Sequence, residues 1–570
     1  MKQILLLTLL FLLCIPLVSG PQEERMGIRL IAVQTEAEAA NLRAQIQNGV
    51  SFEALAKAHS TDASAKVGGY LGFLHLADLK PEFQQALDGL MPGRTSAVTR
   101  VGGEFLLLQK LSLEEGNWIL SNEAGLQAFS AGRYEEAAQR FQQAVQYAEK
   151  LTPVDYRLED SLHGLAETYR LQKKYTEAEP FYRRYLAIHW GGSNVPELLD
   201  RFSSLLARSY FKDSQFAEEL RKFEQALDRA PLREETYQAM STIFFKASLL
   251  PEAEALTVRA TRLFPASKDV QFHRAQLFRT SLNARKALEA FEQLSKMKSP
   301  EGIDPSLDRL QQSVVFQKIG SICAELVEFD KAASAYKKAL ELTPDSAESR
   351  LGLGDLYLQQ GKPEEALAEY SKVIAVNSQN APAQFRVADI YLRMGRFQEA
   401  ATAAANVLTL DRGHQRAHYV LATALVRIGQ REEAEKELAL YRKLEAETRS
   451  DVDRKRDIAV LNRGAAAKLL EGHPEEAIEM FRKIIESYPD GPAQYLNLGF
   501  AQSRLGQHKA AVETFQKMLS SGMADNFLVY WNLAHEYQLL GDLEAARRHE
   551  IVYLQNIDVA LQEALDSNLE

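Results

Sequence analysis

Few residues of this 570-residue chain are of types and spacings that do chemistry. Two histidines, His59 and His75, bracket the stretch HSTDASAKVGGYLGFLH around Asp62. A histidine at a helix end and another in a loop read first as solvated side chains. STDAS is capping and turn chemistry, in which the Asp62 carboxylate bonds nearby amides. From Trp118 onward there is no metal-ligand spacing, no phosphate-cradling glycine loop and no Ser/His/Asp arrangement, so neither a metal nor a cofactor is expected. Asn497 and Asn532 carry both an amide donor and an acceptor, the equipment for holding a peptide backbone. Polar filling that faces solvent is their plainer reading.

The elements that must position such residues are mostly repeated ones. The unit Ser313–Asp345, SVVFQKIGSICAELVEFDKAASAYKKALELTPD, reads as two short helices ended by Pro344. Shifted by 34 residues, Gly320 becomes Gly354, Ala388 and Ala422, Ala332 becomes Ala366, Ala400 and Ala434, and the turn repeats as Gly361, Gly395 and Gly429. Antiparallel helices approach closely only where side chains are short, with Tyr336 and Tyr370 filling the space beside them. Period, small positions, aromatic positions and closing proline together resemble the tetratricopeptide repeat. One unit cannot bury its own apolar face, so the copies must stack into a solenoid.

Composition narrows the classes further. With 67 Lys and Arg against 77 Asp and Glu, the net charge is −10, which leaves no general basic face for nucleic acid. The first 20 residues, MKQILLLTLLFLLCIPLVSG, read as a secretory signal peptide, and the mature protein is expected to be exported, periplasmic or secreted. The alternative is an uncleaved segment anchoring the chain, the one circumstance in which membrane contact is expected. Cys14 belongs to the apolar run, so Cys323 alone survives cleavage and no disulfide within one molecule is possible. It falls on a packed face, where other copies place Tyr357 or Tyr391, and is expected to be a buried structural thiol.

Residues 25–114 do not follow the repeat. Ile28–Val33 predicts a strand, Thr35–Gln47 a helix capped by Thr35 with Glu38, Ser51–Ala58 a second helix and Pro81–Leu90 a third opened by proline. Thr95–Arg100 and Glu104–Leu111 predict two more strands around Gly102-Gly103, giving a small α+β domain. The wording of FEALAKAHSTDASAKVGGYLGF and LKPEFQQALDGLMPGRTSAV resembles the parvulin family of peptidyl-prolyl cis-trans isomerases. That resemblance implies a catalytic role for Asp62, where parvulins have Cys or Asp beside the substrate amide, and a proline pocket formed by Leu79 and Phe83. It also implies two buried histidines, replaced here by Leu30 on the first strand and Phe105 on the last. Loss of that pair removes a network that orients the site, so a weak isomerase is expected, or a domain that only binds extended segments. Gln34-Thr35-Glu36 stands where phosphate-binding relatives are basic, so no phosphopeptide preference is expected.

The expected organisation is therefore a signal peptide at 1–20, a parvulin-like α+β domain at 25–114 and an all-α tetratricopeptide solenoid of about twelve repeats. Repeats fill 118–298, 313–445 and 458–560, with a connecting insertion at 299–312, read as a loop or lengthened connection, and a charged one at 446–457, read as an extended solvated helix or a binding patch. The polar tail is expected to form a closing helix. Such a chain suits a folding or assembly factor whose solenoid binds client polypeptides or envelope proteins. A non-catalytic interaction scaffold is the alternative.

Overall fold

The computed structural model describes residues 25–151, 155–209, 214–229, 232–299, 303–523 and 526–567, and the expected signal peptide lies outside them. Among the described residues no helix is long and apolar enough to cross a membrane. The chain divides into two compact units, 1–185 and 186–570.

The first unit begins with β1 (Arg25–Val33), α1 (Glu36–Gln47), α2 (Phe52–His59), β2 (Tyr70–His75), α3 (Pro81–Leu87), β3 (Thr99–Val101) and β4 (Glu104–Leu111). The strands form one antiparallel sheet in the order β2-β1-β4-β3. Alternation along β1 and β4 sends Ile31, Val33 and Leu107 to one face, where Ala39, Leu42, Phe52 and Leu55 of α1 and α2 cover them. The other face carries Ile28, Leu30, Ala32, Leu106 and Leu108 with Leu87 of α3. Thr35 caps α1 as expected, its Oγ1 accepting from the Glu38 amide at 3.2 Å.

Two strand expectations need correction. Tyr70–His75 is a strand rather than a loop; its register against β1 shifts between Ile28 and Arg29, opposite Gly72, which breaks the period of two that marks a strand in sequence. Thr95–Arg100 is not a full strand, because Thr95 makes only an isolated bridge to Gln109 and pairing resumes at Thr99.

Helical hairpins follow with scarcely a break. Ser112 and Glu115 form a reciprocal capping box that starts α4 (Leu113–Ser130) directly after β4. α4 pairs with α5 (Tyr134–Ala148), and α6 (Tyr156–Leu171) with α7 (Tyr175–His189). In the second unit the pairs are α8 (Val195–Arg208) with α9 (Ser214–Arg229), α10 (Glu234–Lys246) with α11 (Leu250–Leu263), α12 (Lys268–Thr280) with α13 (Ala284–Leu294), and α14 (Pro305–Glu325) with α15 (Phe329–Leu342). Next come α16 (Ala347–Gln359) with α17 (Pro363–Val376), and α18 (Ala381–Arg393) with α19 (Phe397–Leu410). α20 (Gln415–Ile428) packs on the start of α21 (Arg431–Leu470), whose end packs on α22 (Pro474–Ser487). α23 (Pro492–Arg504) with α24 (His508–Ser520), and α25 (Phe527–Leu539) with α26 (Leu543–Asp566), complete twelve hairpins among the described residues.

Four of the hairpins close on a glycine of the first helix. A Cβ added to Gly320 would stand 2.8 Å from the Tyr336 ring, and one on Gly354 2.5 Å from that of Tyr370. Gly125 under Phe141 and Gly499 under Phe515 repeat the device. Two irregularities also resolve. Residues 305–312 are not loop but extra N-terminal turns of α14, and the charged segment Ala446–Asp457 is the solvated middle of the 40-residue α21, laced by Arg454–Asp451 and Arg456–Asp453 pairs. Cys323 is fully buried in α14, and burial pushes its thiol above its usual range.

The second unit closes on itself. α26 packs along α10, and Tyr553 on its buried side shares a 3.0 Å hydrogen bond with Ser203 of α8. Trp190 donates to Asp558 at 2.7 Å and Lys246 to Ser567 at 3.1 Å, so residues more than 300 positions apart are joined.

Candidate functional site

The loop Ser60–Gly69 is stitched to β1, and the stitches dictate where Asp62 stands. The Ala32 amide donates to Ser60 Oγ at 3.1 Å, the Thr61 amide to the Ala32 carbonyl at 2.8 Å and the Leu30 amide to the Gly69 carbonyl at 2.8 Å. Gly69 lies at φ +79°, and a Cβ there would fall 2.3 Å from the Leu30 carbonyl oxygen, so only glycine lets the loop come this close. Asp62 then caps the 3-10 turn Ala63–Val67: its Oδ1 accepts from the Ser64 amide at 2.8 Å and from Ser64 Oγ at 2.5 Å. The carboxylate is thus held in one orientation by its own turn.

Leu79 and Phe83 are half-buried and pack in the same apolar cluster as Leu30, on the sheet face carrying Leu106 and Leu108. Pro81 at the first turn of α3 sets the helix that presents Phe83. Gln84, which sequence reasoning passed over, donates to the Leu79 carbonyl at 2.7 Å and fixes the segment ahead of that helix. Its only signal was a polar residue one position after Phe83.

Phe105 does not join this group. It lies on the opposite face with Val33 and Ile46, with Arg100 over its ring at 5.7 Å. Side chains alternate along β4, so no pair spanning Leu30 and Phe105 faces one side of the sheet. The residue opposite Leu30 in the β1–β4 register is Leu108, on the same face and fully buried. His59 is exposed at the end of α2, and His75 ends β2.

A polar network of the first unit lies elsewhere. Glu53 of α2 is reached by Arg29 of β1 at 3.1 Å, by Lys57 at 2.7 Å and by the Tyr156 hydroxyl of α6 at 2.9 Å. Burial pushes the Glu53 carboxyl up, but Lys57, Arg29 and Tyr156 outweigh it and hold the group below its usual range. On the partner side, burial and the Glu53 charge raise the Tyr156 phenol to about 12. Nearby, Phe73 of β2 rests on Gly116 of α4, where a Cβ would stand 2.3 Å from the ring. The small sheet and the first hairpins are therefore one packed body.

Asn497 and Asn532 are buried, 5% and 8% exposed, and do not face solvent. The Asn532 amide donates to the Leu528 carbonyl at 2.7 Å, while Asn497 Nδ2 meets no partner among the described residues.

Residues 23–109 match the PPIC-type PPIase domain. Tetratricopeptide repeat models match 117–189, 328–390, 357–405, 391–454, 465–526 and 528–549. The chain thus carries a parvulin-type domain followed by tetratricopeptide repeats. Among curated relatives, Chaperone SurA of Nitrosospira multiformis is 36% identical over 138 residues, covering 23% of this chain and 31% of that protein. Chaperone SurA of Thiobacillus denitrificans is 34% identical over 134 residues, covering 23% and 30%. The chain therefore spans about a third of these relatives' length. Among solved structures, MamA aligns at 22% identity over 30% of this chain and 95% of its own, with a TM-score of 0.26, too low to relate the chain to it.

Proposed function

We propose that this chain is an exported folding or assembly factor, with a weak parvulin-type isomerase domain and a repeat array that holds client polypeptides. The observation that carries the isomerase reading is the gathering of half-exposed Leu79 and Phe83 on one sheet face. Rotation about an X–Pro amide must break resonance, at a barrier of roughly 18–20 kcal/mol. A site accelerates it by seating the proline ring on apolar side chains and offering the twisted amide a better electrostatic environment than water. Leu79 and Phe83 supply the seat, and the Asp62 carboxylate, oriented by Ser64, supplies the charge. No covalent step or cofactor enters. Weakness follows from Leu30 and Phe105, which stand where the resemblance puts the family's histidines and offer no side-chain hydrogen bond.

The holding role is supported by the repeats and by the name chaperone that the relatives bear; export is supported by the apolar N-terminal run. The test is isomerisation of a proline-peptide series by the full chain. The wild type is expected to accelerate it, Asp62→Ala to lower kcat/KM about tenfold, the equivalent of roughly 1.4 kcal/mol, and Phe83→Ala to raise KM. No acceleration from a chain whose circular dichroism shows it folded would instead establish the scaffold reading, which the apolar residues Leu30 and Phe105 favour.

A further inference from the structure

The second unit contains a cavity of about 420 Å³ that the isomerase reading does not use. It lies between the first helices of three successive hairpins, α10, α12 and α14, and Leu565 of α26 closes one edge. The extra turns of α14 build a wall of it through Leu310 and Gln311, so residues 305–312 have a structural product. Its volume falls within the roughly 300–1,000 Å³ that ligand sites occupy.

Three kinds of group line it. Phe272, Leu294 and Val315 give an apolar floor. Glu234, Glu235 and Asp269, in the first turns of α10 and α12, give a carboxylate rim. Lys268, the one basic residue of the lining, is already bound to Asp308 at 3.0 Å and to Ser299 at 2.6 Å, so it does not neutralise the rim. The third kind is His273, only 8% exposed, whose Nε2 meets no partner among the described residues although it lines the cavity. Burial holds its imidazole at about 4, so it is neutral near pH 7. A buried, unpaired ring nitrogen is destabilising, and a bound hydrogen-bonding group recovers that cost.

These features exclude most occupants. Phosphate, nucleic acid or an acidic segment meets like charge. A purely apolar molecule leaves both His273 and the carboxylates unmatched. We infer that this cavity takes an extended polypeptide segment in which an aliphatic or aromatic side chain is flanked by lysine or arginine. The apolar side chain fills the floor, the cations meet Glu234, Glu235 and Asp269, and a backbone amide pairs with His273 Nε2 as donor or acceptor. The inference deepens the holding role proposed above and specifies what that role selects; it is independent of the isomerase activity.

The test uses the full chain and a fluorescein-labelled, proline-free peptide of about ten residues with a central Leu-Phe between lysines, read by anisotropy. Two twins replace the lysines by glutamate or the Leu-Phe by Ser-Gly. The basic apolar peptide is expected to bind saturably and to weaken with salt, while both twins bind at least about tenfold more weakly. Glu234→Lys with Glu235→Lys, two positions that are not in the buried core, is expected to weaken binding about tenfold or more and His273→Phe about threefold or more. Absence of saturable binding to the wild type, equal binding of the glutamate twin, or affinity unchanged by charge reversal overturns the inference. Failure of the holding role is read separately, as loss of the wild type's ability to suppress aggregation of a chemically denatured enzyme.

Discussion

At residue scale, the sheet face carrying Leu79 and Phe83 shows how much depends on which side of a strand a residue occupies. Leu30 and Leu108 face each other in one apolar cluster, whereas Phe105 looks the other way. Introducing Leu30→His with Leu108→His is therefore expected to raise the full chain's isomerisation rate several-fold. Leu30→His with Phe105→His is expected to leave it unchanged, because those two rings cannot share a hydrogen bond through the sheet. A peptide-isomerisation assay, with near-ultraviolet circular dichroism to check packing, decides the matter: equal rates from both double variants would remove the histidine explanation of the weak activity proposed above. Leu79 and Phe83 were singled out by the resemblance of LKPEFQQAL to the parvulins, and both pack in the apolar cluster that contains Leu30. Asp62 was legible as a cap, and the structure shows it capping; nothing in the sequence revealed that Gln84 holds the Leu79 backbone.

The helical hairpin is the element that the sequence describes best, since its small and large positions are complementary. Gly354 has no room for a methyl group against the fully buried Tyr370, so Gly354→Ala is expected to cost about 1–2 kcal/mol, even after a helix-propensity gain of about 1 kcal/mol. The turn between helices behaves in the opposite way. Gly361, Gly395 and Gly429 take positive φ there, but the first of these four consecutive hairpins uses Val327 at φ +63°, a β-branched residue in the left-handed region. Val327 is 65% exposed, so it has little packing to lose. Val327→Gly is expected to raise stability by about 0.5–1 kcal/mol, the relief of backbone strain less the greater freedom of glycine in the unfolded chain. Urea-denaturation midpoints of the two variants should move in opposite directions. The edge strand β2 was not legible, because Gly72 and the shifted register erase the alternation by which strands are read.

At the scale of the molecule, each unit is held by contacts that join distant sequence. In the first, Glu53 gathers a strand, a helix and a repeat through Arg29, Lys57 and Tyr156, so the four-stranded sheet is expected to need its first hairpins in order to remain folded. In the second, α26 returns to the helices that open it. Ile557 is fully buried on α26 and Val559, two residues on, is 56% exposed. Ile557→Asp is expected to destabilise the second unit by about 3–5 kcal/mol and to make α26 susceptible to protease, whereas Val559→Asp should change neither. Equal protease resistance of both variants would mean that the seating of α26 does not hold the unit together.

The sequence by itself determined the local grammar: helix starts and stops, the small-against-large complementarity within each hairpin, the two kinds of fold and their order. These depend on neighbours within about 34 residues, and periodicity records them directly. Tertiary structure alone decided which residues share a sheet face, that the small sheet and the first repeats are one body, and that α26 lies on α8 and α10. It alone also placed His273 in a carboxylate-rimmed cavity closed by a leucine from the far end of the chain. The physical reason is common to all four. Register and superhelical return bring together residues tens to hundreds of positions apart, and a single sequence carries no mark of which distant residues will meet.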